Sequence, residues 1–120
     1  MKISEVAERT GLSISVIRFY EKSGLCPPIE RGSDGKRTFS AIDTDWLVLL
    51  ASLRATGMPM SDMRAFAELY ASGDEKIGER KAALLAHRQG LEARQTELDR
   101  CRAILDRKLE IYDGILEGRT

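Results

Sequence analysis

Apolar residues open the chain at helical spacing. Ile3, Val6 and Ala7 share one face of a helix predicted over Ser4–Thr10, with Ser4 as its expected N-cap and Gly11 as the turn that ends it. A second helix is predicted from Ser13, carrying Val16, Ile17, Phe19 and Tyr20 and stopped by Gly24. Two short helices joined by a glycine-containing turn are the pattern of a helix-turn-helix. Leu25–Ser40 cannot continue as helix, because it holds Pro27-Pro28, Gly32 and Gly35. Ser33-Asp34-Gly35 reads as a turn between Ile29–Arg31 and Lys36–Phe39, so a short two-stranded hairpin, a wing, is expected there. Asp43 or Thr44 should cap a third helix through Trp46, Leu47, Leu49, Leu50 and Leu53, ending near Gly57. Pro59 and Ser61 restart the chain, with Ser61 as the expected N-cap of a fourth helix holding Met63, Phe66, Ala67, Leu69 and Tyr70.

Beyond Ser72-Gly73-Asp74 the pattern changes. No proline occurs from Asp74 to Leu116, and a helix of that length spans on the order of 60 Å. Ile77, Leu84, Leu91, Leu98, Leu105 and Tyr112 recur every seven residues, a coiled-coil seam assigned to dimerisation. The companion seam, His87, Arg94, Cys101, Lys108 and Ile115, is mixed, which suits a helix that also packs on another domain's surface. The expected architecture is all-α dominated: a winged helix-turn-helix head over 1–73 with a small β-hairpin wing, then a long helix and short tail over 74–120 that pairs as an antiparallel coiled coil.

Composition narrows the function classes. Formal net charge is zero, and Met1–Tyr70 alone balances nine Lys+Arg against nine Asp+Glu. A nucleic-acid binder of this charge must rely on local arrangement rather than bulk charge. No apolar run is long enough to span a membrane, and MKISEVAERTGL lacks the basic start and apolar core of a signal peptide, so a cytoplasmic protein is expected. One His and two well-separated cysteines, Cys26 and Cys101, do not make a structural zinc site. With no Gly-rich phosphate loop, Ser-His-Asp set or paired carboxylates, and no pocket domain expected after the fourth helix, neither an enzyme nor a cofactor is expected.

Candidate chemistry lies in the head. The second helix of such a motif enters the major groove. Ser13 and Ser15 stand at its start, where backbone N–H groups favour phosphate. Arg18 and Lys22 lie four apart on one face, Arg18 able to fork onto a phosphate pair or a guanine edge, and Tyr20 offers a hydroxyl. Arg31, Lys36 and Arg37 cluster about the wing turn. Each cation alone could equally be a solvated surface charge. Together, in this order, they point to double-stranded DNA.

These segments carry a family resemblance. Ile3-Ser4-Glu5-Val6-Ala7, Thr10-Gly11-Leu12-Ser13, Ile17-Arg18-Phe19-Tyr20-Glu21-Lys22-Ser23-Gly24-Leu25, Pro27-Pro28, Gly35-Lys36-Arg37-Thr38-Phe39-Ser40 and Leu53-Arg54-Ala55-Thr56-Gly57-Met58 together resemble the N-terminal signature of MerR transcription regulators. The resemblance implies a homodimer whose long helices pair antiparallel. It implies a near-palindromic site in the promoter spacer, and a bend and underwinding of that DNA for bacterial RNA polymerase. It places Arg18 and Tyr20 on the recognition helix, Arg37 on the wing and Arg54 near a second wing as DNA contacts. Phe19 and Thr38 stand where the family often has tyrosine.

The effector is not assigned, whether small molecule or redox agent. Metal-sensing relatives carry closely spaced cysteines near the end of the long helix, and this chain has none. Trp46 and Ala67-Glu68-Leu69…Gly73-Asp74 resemble a branch that includes thiol-based aldehyde and electrophile sensors. The third-helix cysteine of that branch is absent, with Ser52 in its place in Ala51-Ser52-Leu53-Arg54. A redox role would fall to Cys101, near Arg94, Arg100 and Arg102, unless it is simply a small seam hydrophobe. Cys26 reads as core packing, Trp46 as a core or interdomain residue, and Met58, Met60 and Met63 as gap-filling. The competing function is a coiled-coil protein-interaction module with no DNA-twisting activity.

Overall fold

The computed structural model describes residues 1–118. Its elements are α1 (Ile3–Thr10), α2 (Ile14–Lys22), α3 (Ala41–Ala55), α4 (Met60–Ala71), a 3-10 turn (Asp74–Lys76) and α5 (Ile77–Leu116). Two compact units form, Met1–Ala83 and a second that begins at Leu84, so the start of α5 belongs with the head. Among the described residues no helix is long and apolar enough to cross a membrane.

The glycine stops act as expected. Gly11 takes φ 75 and donates its N–H back to the Ala7 carbonyl, while Gly24 follows α2 at φ 81. Ser13 caps α2, its hydroxyl accepting from the Val16 N–H at 3.1 Å. Three other starts lie upstream of their expected caps. α1 begins after Lys2, whose N–H donates to the Glu5 carboxylate at 3.2 Å, so Ser4 sits inside the helix. α3 begins after Ser40, whose hydroxyl accepts from the Asp43 N–H at 3.1 Å while its own N–H donates to Asp43 Oδ2 at 2.9 Å. Asp43 is thus the return half of the capping box, and Thr44 donates its hydroxyl to the Ser40 carbonyl at 2.9 Å. α4 begins after Pro59 rather than at Ser61.

The head core is built from one face of each short helix. Val6, Ile17, Tyr20, Leu47, Leu50 and Met63 are fully buried, each contributing about 1.5–3 kcal/mol of transfer free energy. Trp46 ties α3 to its surroundings. Its indole N–H donates to the Leu25 carbonyl at 2.8 Å, just past α2. Its ring stacks on Tyr70 with centroids 4.2 Å apart and on Phe66 at 5.3 Å. The Arg80 guanidinium lies 5.2 Å over the Tyr70 ring and pairs with Asp74 at 3.6 Å, joining the first turn of α5 to α4.

The wing departs from expectation. Among the described residues no strand forms between α2 and α3, and the expected two-stranded hairpin is a single antiparallel bridge, Arg31 to Arg37. Gly32–Gly35 close the turn through Gly35 N–H to the Gly32 carbonyl at 2.9 Å. A bonded pair from Thr38 N–H to the Glu30 carbonyl at 2.8 Å flanks it. Pro27 and Pro28 end any ladder below this point, and a lone two-stranded ribbon is marginal in water. The base is tied instead to the N-terminus, where Met1 and Phe39 exchange two 2.8 Å hydrogen bonds.

Candidate nucleic-acid interface

α2 divides cleanly. Ile17 and Tyr20, three apart, face the core, while Ile14, Ser15, Arg18, Phe19 and Lys22 are exposed. Ser15, Arg18 and Lys22 therefore form an accessible polar row, as expected of a recognition helix. Tyr20 does not join it. Its ring has no exposed surface, and its hydroxyl accepts from Arg54 Nη1 at 3.4 Å. The Ser13 hydroxyl is spent on the cap.

Beside this row lies a concavity lined by Lys2, Ser4, Arg18, Arg31, Lys36 and Arg37, with Ile3 and Gly35. Five of its lining side chains are cations and none is a carboxylate. A neutral chain thus gathers a local positive field, which suits an anionic ligand such as a phosphate backbone. The wing arginines are not loose. Arg31 Nη1 donates to the Gly35 carbonyl at 2.9 Å, bracing the turn. The Nε of Arg37 donates to the Glu21 carboxylate, and this ion pair ties the wing to α2 across sixteen residues. Lys2 also lines this concavity. Nothing in periodicity marks it, because only the Met1–Phe39 pairing brings the start of the chain to the wing.

On the other side of α2, Ser15, Val16 and Phe19 meet Arg54, Met58, Met60 and Met63 around a second, mainly apolar depression. Phe19 is 47% exposed. Arg54 stands at the end of α3, one guanidinium nitrogen on Tyr20.

The part of α5 beyond Leu84 presents an unburied apolar face. Leu98, Ile104, Leu105, Leu109, Tyr112, Ile115 and Leu116 are all more than half exposed. Leu98, Leu105 and Tyr112 belong to the seven-residue repeat; Ile77, in the first unit, is exposed as well. The Lys108 ammonium sits 5.1 Å over the Tyr112 ring. Cys101 is exposed on this face. Cys26 is buried at the base of the wing, and its thiol is pushed up to about 12, mainly by burial and further by the negative charges of Asp43 and Glu21. Among the described residues no three His, Cys, Asp or Glu side chains converge to hold a metal ion.

Comparison with known proteins agrees with this geometry. Residues 1–69 match the family described as MerR HTH family regulatory protein, and residues 44–108 match the family described as MerR, DNA binding. An HTH-type transcriptional regulator of Haemophilus influenzae is 37% identical over 109 residues, 91% of this chain and 81% of the relative. The regulator AdhR of Bacillus subtilis is 33% identical over 91 residues, 76% of this chain and 65% of its own length. Among solved structures, HiNmlR, a MerR family regulator lacking the sensor domain and bound to promoter DNA, superposes with a TM-score of 0.86 at 34% identity, covering 99% of this chain and 91% of that one. A MerR family regulator from Listeria monocytogenes superposes equally, with a TM-score of 0.86 at 30% identity, covering 98% of this chain and 89% of that one.

Proposed function

The chain belongs to the MerR family and is a DNA-binding transcription regulator, and from that premise we propose that it binds a near-palindromic promoter site as a homodimer and regulates transcription by distorting the duplex. The observation that carries the reading is the concavity of five cations beside the exposed row of α2. Ser15, Arg18 and Lys22 enter the major groove, with Ser13 at the helix start. Lys36, Arg31 and Arg37 hold the adjacent phosphates from the wing, and Arg54 holds one on the far side of α2. Tyr20 acts from the core by seating Arg54 rather than by touching DNA.

We assign the head to 1–73 and the dimerisation helix with a short tail to 74–120, of which 119–120 lie outside the described residues, the exposed face of α5 pairing with a second copy. Distorting a site of this size costs on the order of 1–6 kcal/mol by smooth-bending estimates, which two linked heads can offset through added phosphate contacts. RNA polymerase is the partner that reads the altered duplex, and the protein acts in the cytoplasm, where that DNA lies.

Footprinting on the DNA upstream of its own gene tests the proposal. Two half-sites about one helical turn apart should be protected. The logarithm of affinity should fall linearly with the logarithm of salt, by about 0.9 per phosphate contact. Absence of protection at low salt overturns the reading.

A further inference from the structure

One acidic side chain stands directly behind this interface. Glu21, in the last turn of α2, has its side chain only 16% exposed and does not line the concavity. Its carboxylate accepts from the Nε of Arg37, whose side chain is 25% exposed and does line it. A carboxylate next to a phosphate site should oppose binding by simple repulsion. This one is placed so that it grips the arginine by its inner edge. Among the described residues the Arg37–Glu21 contact uses Nε alone, which leaves the two terminal amino groups, the pair that forks onto a phosphate.

The surroundings make this grip matter. The wing has one bridge and no strand to fix its side chains. An arginine carries much rotamer freedom, and a planar guanidinium binds a phosphate well only in a set orientation. Arg31 is braced by the Gly35 carbonyl on the opposite arm of the same turn. Glu21 supplies the corresponding brace for Arg37, from the recognition helix itself.

We propose that Glu21 is a positioning residue for DNA binding: it fixes Arg37 by Nε so that the terminal amino groups meet a phosphate in register with Arg18 on the same helix. The inference rests on the DNA-binding reading above and gives it a sign that electrostatics alone would not. Removing a negative charge near DNA should tighten binding, whereas losing the brace should weaken it.

The test uses the full-length chain and the footprinted site, with Kd measured by fluorescence anisotropy across a salt series. The variants are Glu21→Met, Glu21→Gln, Arg37→Met and the double variant E21M/R37M. E21M is expected to bind about tenfold more weakly, the size of one charge-assisted hydrogen bond. Its salt slope should be shallower by about 0.9, one phosphate contact. R37M should match it in both respects, and the double variant should be no weaker than R37M. E21Q, whose side-chain carbonyl still accepts from Nε, should stay within about threefold of the parent with the parental slope, a difference well under 1.4 kcal/mol. The proposal is overturned if E21M binds as tightly as the parent or tighter, or if it weakens with an unchanged slope, the mark of general destabilisation. If E21M does not fold, Glu21→Ala takes its place: a slope reduced to that of R37M supports the role, and the parental slope rejects it. Failure of the parent to bind at all overturns the DNA-binding reading instead.

Discussion

Replacing Leu98 by Ala should dissociate the proposed dimer, and the size of the effect follows from exposure. Leu98 is 65% exposed in the single chain, on the face of α5 that also presents Leu105 at 57% and Tyr112 at 52%. Full burial of a leucine side chain is worth about 1.5–3 kcal/mol, so covering the exposed share of Leu98 contributes about 1–2 kcal/mol per chain. Symmetry doubles this, because every substitution in a homodimer occurs twice. L98A should therefore weaken association by about 2–4 kcal/mol, raising the dissociation constant by a factor of about 30 to 1,000. Sedimentation equilibrium over nanomolar to micromolar protein measures this directly. Arg107→Ala, on the opposite side of α5, is the control and should leave the constant within about threefold, as expected for a surface substitution. The reasoning is refuted if the parent is monomeric at micromolar concentration, or if L98A and R107A shift the equilibrium equally.

Three further outcomes follow. A thiol reagent at neutral pH should label Cys101 faster in L98A, where the proposed dimer opens, than in the parent, and leave Cys26 untouched in both until the head unfolds, which mass spectrometry of the labelled chain can read. Because the Cys26 thiol is raised from 9.0 to about 12, the folded state keeps its proton where the unfolded chain has lost it. That stabilisation is present below pH 9, falls as pH rises above it, and should vanish in Cys26→Ala, giving a flatter thermal midpoint against pH between 9 and 11. Removing the capping hydroxyl by Ser40→Ala should cost about 1 kcal/mol in urea unfolding, with no effect on labelling of Cys101; an unchanged midpoint contradicts the capping box.

Much of the architecture was legible because its punctuation is local. Gly11, Ser13 and Gly24 each act within a turn of where they stand, and the seven-residue repeat from Ile77 to Tyr112 needs only its own spacing. The helix starts at Lys2, Ser40 and Pro59 were less so. At each, the residue expected as cap lies within the first turn, and at α3 only the hydrogen bonding separates the cap, Ser40, from its return partner, Asp43. Tyr20, expected to offer its hydroxyl to DNA, is buried, and its distance of three residues from Ile17 puts both on the core face. The wing was overbuilt, since turn residues fix a reversal but not the length of ladder beneath it. The pairing of Glu21 with Arg37 and the arrival of Lys2 at the wing depend on packing between segments far apart in the chain, which no local pattern carries.

The stack on Trp46 has a practical consequence. It is the only tryptophan in the chain, stacked on Phe66 and Tyr70 with its N–H on the Leu25 carbonyl. Its emission is therefore a label-free optical gauge placed where α2, α3 and α4 meet, one ring away from Arg80 in the first turn of α5. Any ligand that moves this junction announces itself in a cuvette, before its chemistry is known.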